Sequence, residues 1–409
     1  MLSVNALGPP KGADVSAPGF WGVHDGETRR GTAGTSPCAG FSGMRIAYVL
    51  DVPLSGNGIV RLTKSHASLI ESLGGEVLII GLAGTDSVSP FVGRPVRLHA
   101  IRPLIGLSGR APTLVQAVMR RPEIQTELRA FSPSLVIACR QGGLLACWGA
   151  TKSPLWYFVH QSEFDTARLG SRWLLRNRRS RDLLLRLNRL LYRIPDRVLV
   201  PSTAIMPETR RSAPTAQIAV APPLFGIPRG SRQSECSRVD PNHLRLLWVG
   251  RFVPIKGPIR AVEWLAAVRD QGGNASLTMV GAGELMRATE EHAAQLGLTS
   301  YVTLVGQASA AMVQEYMRSS DVLLITSEAE SFGMVAYEAV MSGLRIVGRP
   351  VGVLPSLTAQ LETVIVTEDL SLQNVETVFE GSTARAAEAL CGIMERDRIA
   401  VANLLLDAR

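Results

Sequence analysis

The chain has 409 residues, more than one ordinary hydrophobic core accommodates and suited to two domains of about 150–200 residues each. Its formal net charge of +8 favours anionic partners such as nucleotide phosphates, acidic lipids or an acidic acceptor. No helix-turn-helix, zinc-finger or aromatic-basic ribonucleoprotein pattern accompanies that charge, so a nucleic-acid partner is not expected. No apolar run is long enough to span a membrane, and the start lacks the basic-then-apolar pattern of a signal peptide. The five cysteines (Cys38, Cys139, Cys147, Cys236, Cys391) are scattered and lack histidines at metal spacing. They point to a reducing compartment rather than a zinc site or a disulfide frame.

Residues 1–43 are rich in Gly, Ser, Pro, Ala and Thr and show neither helical nor strand periodicity. They read as a flexible leader. It is either an artefact of start-codon assignment, with Met44 the true start, or a disordered tail; the first reading is favoured. Met44–Leu50 reads as a strand, followed by Gly56-Asn57-Gly58 and a helix whose apolar face carries Ile59, Leu62, His66, Leu69, Ile70 and Leu73. Strands are predicted over 76–80, 96–101, 135–138 and 155–159, with a helix over 113–131 interrupted at Pro122. Such alternation implies a parallel sheet wrapped by helices. His160 closes the strand Leu155–Val159 at its carboxyl end, where ligands gather in such sheets. It is a catalytic candidate or a hydrogen-bonded structural histidine.

Residues 168–193 hold nine arginines and one aspartate. As one helix, they would place Leu169, Trp173, Leu184, Leu187 and Leu191 on a common face beside the arginines. Two readings stand: peripheral contact with an anionic membrane, or an amphipathic helix packed on its own domain with a solvated arginine face. Arg197–Val200 reads as the last strand of the first half, and the Pro- and Gly-containing stretch over 226–242 as a linker.

The second half opens on strand Leu244–Val249, then Gly250-Arg251-Phe252-Val253-Pro254-Ile255-Lys256-Gly257, then a helix. Strand Ala275–Val280 leads into Gly281-Ala282-Gly283; Met286 at the third glycine position leaves a dinucleotide fingerprint incomplete. Helix 284–296, strand 301–305, helix 309–319 and strand 321–325 follow, then Glu330, Phe332, Gly333, Met334, Glu338 and Gly343, then strand 344–347. Glu330 falls in a loop and Glu338 in a helix beginning near Phe332, whose free N–H groups favour an anion. A terminal helix is predicted over 374–397.

This pattern resembles the family-4 retaining glycosyltransferases (glycosyl transferases group 1) of the GT-B fold, most strongly over 245–347. The resemblance implies an α/β protein with two Rossmann-like parallel-sheet domains facing a central cleft. It gives an N-terminal acceptor domain over 44–225, a nucleotide-sugar domain over 243–395 and a tail over 396–409. It implies a hexosyltransferase-type enzyme moving a sugar from a nucleotide-diphosphate donor to a saccharide or lipid-linked acceptor, with retention and with neither cofactor nor metal. Arg251 and Lys256 would grip the diphosphate, and Glu330 and His160 would lie by the donor sugar. Glu338 would accept the ribose hydroxyls. Gly56, Gly58, Gly250, Gly283, Phe332, Gly333 and Met334 would line the donor. The location implied is cytoplasmic, or the inner face of the plasma membrane. This chain departs from the family in the loop Val351-Gly352-Val353-Leu354-Pro355, where one of two glycines remains and proline takes the place of an acidic residue. Pro222-Pro223-Leu224 likewise replaces a Pro-Asn-Gly segment. A non-catalytic homologue binding a nucleotide or a partner, and a sugar-nucleotide epimerase, stand as the alternatives.

Overall fold

The computed structural model describes residues 41–53, 58–82, 97–101, 119–160, 186, 189–225 and 242–408. The leader over 1–40, Gly56, most of the arginine-rich run over 168–193 and the linker residues 226–241 lie outside them.

Seven strands form the first sheet: β1 (Arg45–Pro53), β2 (Glu76–Leu82), β3 (Arg97–Ile101), β4 (Leu135–Cys139), β5 (Leu155–Phe158), β6 (Arg197–Val200) and β7 (Ile218–Val220). Their spatial order is β3-β2-β1-β4-β5-β6-β7, and every pairing is parallel. The second sheet has six: β8 (Leu244–Val249), β9 (Ala275–Val280), β10 (Val302–Gly306), β11 (Val322–Ile325), β12 (Arg345–Gly348) and β13 (Val364–Val366). Their order is β10-β9-β8-β11-β12-β13, again all parallel. Continuous apolar strands suit a sheet covered on both faces, and β4 and β11 are buried at every position. Both sheets reverse direction of travel between their first and fourth strands. In such sheets the crevice beyond the carboxyl ends at that switch point takes the ligand.

The helices that frame these edges are α1 (Gly58–Ser72), α2 (Arg121–Phe131), α3 (Arg140–Cys147), α4 (Met206–Ser212), α5 (Pro258–Asp270), α6 (Met286–Gln295) and α7 (Ala310–Ser319). They are followed by α8 (Met334–Met341), α9 (Leu354–Thr358), α10 (Leu372–Thr377) and α11 (Thr383–Leu406). The expected interruption near Pro122 falls at Arg120, a turn between helical Met119 and the start of α2; Pro122 stands in the first turn of α2, where its missing N–H costs nothing. The first half does not end at β6, because β7 adds a further edge strand. The terminal helix divides in two. Ser371 caps α10 in a reciprocal box with Asn374, and Ser382 starts α11.

α11 runs on to Leu406, well past the expected end at 397. At about 1.5 Å per residue its 24 residues span about 36 Å. Its first half packs Ala386, Leu390, Ile393 and Met394 among Tyr337, Leu357 and Leu361 of the second unit. Its last turns bury Val401, Ala402 and Leu405 with Ile46, Leu62 and Ile70 of the first. Part of the stretch read as a tail, Val401, Ala402 and Leu405, is thus core. Burial of a Val or Leu side chain contributes about 1.5–3 kcal/mol.

Candidate functional site

The switch point of the second sheet lies between β8 and β11, and the segments that follow these strands carry most of the predicted residues. After β8, Gly250 and the exposed Arg251 lead through a short 3-10 turn to Lys256. After β11, Thr326 is fully buried and ties the two loops together. Trp248 Nε1–H donates to Thr326 Oγ1 at 3.0 Å, and the threonine hydroxyl lies 2.8 Å from the Gly257 carbonyl. Glu328 N–H donates to the Ile255 carbonyl at 2.8 Å. This bracing brings Lys256 Nζ to 2.5 Å from Glu330 Oε1, and Ser327 Oγ–H donates to the same oxygen at 2.7 Å. The two residues expected on either side of a donor phosphate and sugar form one half-buried ion pair. Arg251 has no such partner among the described residues.

Gly333 caps α8 with a left-handed φ of 93°, a conformation open to glycine at little cost. The N–H groups of Phe332, Gly333 and Met334 donate to no backbone carbonyl among the described residues. Phe332 is buried against Phe225 and Tyr337, at ring separations of 6.1 and 5.0 Å, and Met334 is half-buried. The Phe332 side chain is thus taken up in packing, leaving its backbone N–H at the start of α8. Gly352 explains the glycine that remains in the altered loop. At φ 57°, a Cβ there would stand 2.2 Å from the Phe332 carbonyl oxygen and 2.9 Å from Glu330 Cβ. Gly283 is exposed, and a Cβ on it would meet the Phe252 carbonyl at 2.5 Å, so its smallness lets the loops after β8 and β9 touch.

Glu338 sits in α8 with its side chain 17% exposed. Burial raises its pKa, and Arg61 opposes that rise. Arg61 belongs to α1 of the first unit, and its Nη1 donates to Glu338 Oε1 at 3.2 Å across the cleft. Sequence reasoning did not find this pair, nor a second bridge at Ser331. The Ser331 hydroxyl donates to the His160 carbonyl, and the Ser331 carbonyl accepts from Ser202 Oγ at 2.6 Å. The carboxyl edges of β5 and β6 therefore face the carboxyl edge of β11. An outward serine between Glu330 and Phe332 was the sole local hint, and it named no partner.

The His160 ring stacks on Phe158 at 4.5 Å and 13°. Burial, helped by nearby His66 and Arg140, lowers its pKa to about 3. Its Nε2 is buried with no hydrogen-bond partner among the described residues. Arg140 opens α3 at the first sheet's switch point with a φ of 64°, a costly choice for a side chain with a Cβ. Gly58 opens α1 and is exposed; Gly56 is not among the described residues. His66 is buried as the helical pattern requires, with Nε2 2.8 Å from the Pro222 carbonyl.

A separate hollow of ≈ 380 Å³ beside α5 is lined by Arg260, Glu263, Trp264, Arg349, Glu368 and Asp369 among others, and shares no residue with this cleft. Among the described residues no group of three or more His, Cys, Asp or Glu side chains is arranged to hold a metal ion. Among them, too, no helix is long and apolar enough to cross a membrane.

Residues 232–375 match the family model for glycosyl transferases group 1, and residues 57–223 the model for the glycosyl transferase 4-like domain. Curated relatives include D-inositol 3-phosphate glycosyltransferases. That of Mycolicibacterium vanbaalenii is 35% identical over 129 residues, 29% of this chain and 28% of the relative. That of Corynebacterium efficiens is 30% identical over 176 residues, 41% of this chain and 38% of the relative. The chain thus aligns with well under half the length of these relatives. Among solved structures, sucrose-phosphate synthase from Thermosynechococcus elongatus superposes with a TM-score of 0.69 at 18% identity, covering 88% of this chain and 98% of that one. HepE from Anabaena, solved with UDP and glucose, superposes with a TM-score of 0.64 at 17% identity, covering 89% and 98%.

Proposed function

The chain belongs to the glycosyl transferases group 1, with a 4-like first domain and the GT-B fold, and from that premise we propose that it moves a hexose-type sugar from a nucleotide diphosphate to a hydroxyl acceptor with retention at the anomeric carbon. The observation that carries this reading is the switch-point cluster: Lys256 paired to Glu330, the open N-terminus of α8, and Glu338, all at one sheet edge that faces the other.

The step breaks the bond from the anomeric carbon to the diphosphate oxygen and forms one to the acceptor oxygen on the same face. The acceptor proton passes to the departing phosphate. Negative charge gathers on the diphosphate as positive charge grows on the sugar. Arg251, Lys256 and the N–H groups at Gly333 stabilise the first, and preorganised donors of this kind contribute about 10²–10³ in rate each. Glu330, freed in part as Lys256 turns to phosphate, holds sugar hydroxyls. His160 is neutral at working pH because its pKa lies near 3. It acts by hydrogen bonding through its open Nε2, not as an acid. Glu338 accepts the ribose hydroxyls. The acceptor, saccharide or lipid-linked, enters from the first unit, with the arginine-rich run over 168–193 touching an anionic membrane surface.

Calorimetric titration of the full chain with UDP, GDP, ADP and NAD tests the reading. One nucleoside diphosphate should bind, and Glu338→Ala, Arg251→Ala and Lys256→Ala should each weaken it. Unchanged affinity in all three variants would remove the site assignment. Binding of no nucleotide would favour the non-catalytic homologue.

A further inference from the structure

Arg61 and Glu338 are 277 positions apart and come from different sheet units, yet they form an ion pair. Arg61 lies in the first turn of α1, about one-third exposed, and reaches over the cleft. Glu338 is embedded in α8 among buried Tyr337, Ala339 and Val340. Its Oε1 takes the guanidinium, and its Oε2 has no donor among the described residues. On the other side of α8, α11 brings Arg396 and Asp397, and these act on Tyr337. The charged group acting on Glu338 is Arg61, from α1.

An ionised carboxylate is acceptor-only; once protonated it becomes a donor on one oxygen and a weaker acceptor for ribose hydroxyls. Its burial works against ionisation, and a cation within hydrogen-bond reach works for it. We propose that Arg61 is a positioning residue of the nucleotide site: held across the cleft, it keeps Glu338 ionised and turned so that Oε2 meets the ribose hydroxyls of a nucleoside diphosphate. The inference rests on the nucleotide-site reading above. It makes the donor site a joint property of both units, with the second unit alone lacking the cation that sets its ribose acceptor.

The test titrates the full chain and its Arg61→Met, Arg61→Lys and Glu338→Gln variants with UDP, GDP and ADP from about pH 8 down to about pH 5.5. The wild-type protein should bind one of them with little dependence on pH. Arg61→Met should bind it about ten- to a hundredfold more weakly, and the deficit should grow as pH falls, because Glu338 without its cation takes up a proton. Arg61→Lys should restore the flat profile. Glu338→Gln should be weak at every pH. Arg61→Met with wild-type affinity and a wild-type pH profile overturns the inference, as does tighter binding, which would mark Arg61 as a competitor of the ribose. Should Arg61→Met fail to fold, Arg61→Gln takes its place with the same expectation. Failure of the wild-type protein to bind any of the three would overturn the nucleotide-site reading itself and the inference with it.

Discussion

Thr326→Val isolates the bracing on which the candidate site depends. Valine has nearly the shape of threonine, so the change leaves no cavity and removes only a hydroxyl. That hydroxyl is fully buried and accepts from Trp248 Nε1, itself on a side chain 2% exposed. Without it the indole N–H is stranded away from water. The Gly257 carbonyl loses one donor but keeps the Ala261 N–H at 3.3 Å. The cost is therefore that of one orphaned buried donor, about 1–3 kcal/mol. A unit of this size loses about 2–4 °C in midpoint per kcal/mol, well within reach of a thermal melt followed by tryptophan fluorescence. Affinity for the nucleoside diphosphate should fall as well, because the loop bearing Arg251 and Lys256 is held to β11 through this hydroxyl. A variant with an unchanged midpoint and unchanged affinity would refute the claim that Thr326 joins the two loops energetically.

Arg245 meets Asp321 through Nε at 3.1 Å, Nη2 at 2.9 Å and its own backbone N–H at 2.8 Å, with the Asp321 side chain 4% exposed. Asp321→Ala should cost about 1–3 kcal/mol by removing the acceptor of the Arg245 backbone N–H and of two guanidinium hydrogen bonds, read as a drop in denaturant midpoint. His66 is fully buried with its pKa lowered to about 4 by desolvation. The unfolded chain therefore binds the extra proton below its ordinary pKa of about 6.5, so stability is complete above that pH and declines as pH falls toward 4, by up to about 1.4 kcal/mol per pH unit. His66→Gln should flatten that acid limb in urea titrations, and an unaltered limb would contradict the assignment. Flotation with anionic vesicles should be lost, or nearly so, when Arg172, Arg176 and Arg179 become Ser; undiminished flotation would reject the arginine-rich run as the contact.

The strands were legible because a sheet covered on both faces demands continuous apolar runs. Leu135–Cys139 and Val322–Ile325 can hardly be anything else. The glycine-bearing loops after β8 and β11 were legible because their residues are consecutive and follow such strands. What sequence could not supply was of two kinds. Short or glycine-broken elements carry too little periodicity: α3 holds Gly142 and Gly143, and β7 and β13 have three residues each. Pairings between distant segments leave no local trace. Lys64, Ser65 and Arg61 look alike as polar positions on the outer side of α1, and only the folded chain shows that Arg61 reaches Glu338 while Ser65 Oγ accepts from Leu224 N–H at 2.9 Å. The run from 374 to 397 suggested one helix because Phe379, Glu380 and Gly381 are too brief a break to outweigh the apolar pattern around them.

The path of α11 bears on the order in which this protein can be made. Val401, Ala402 and Leu405 complete a core whose other members begin at Phe41. The strands of the second sheet, β8 to β13, are contiguous in sequence, and the α11 residues that complete its core, Ala386, Leu390, Ile393 and Met394, follow them directly. The first sheet, although synthesised earlier, stays open along the surface that α11 covers until residues 401–405 appear. Domains commonly fold in the order in which they are translated; here the half made first is completed after the other, and the face of α1 that α11 covers is what chaperones would meet during the interval.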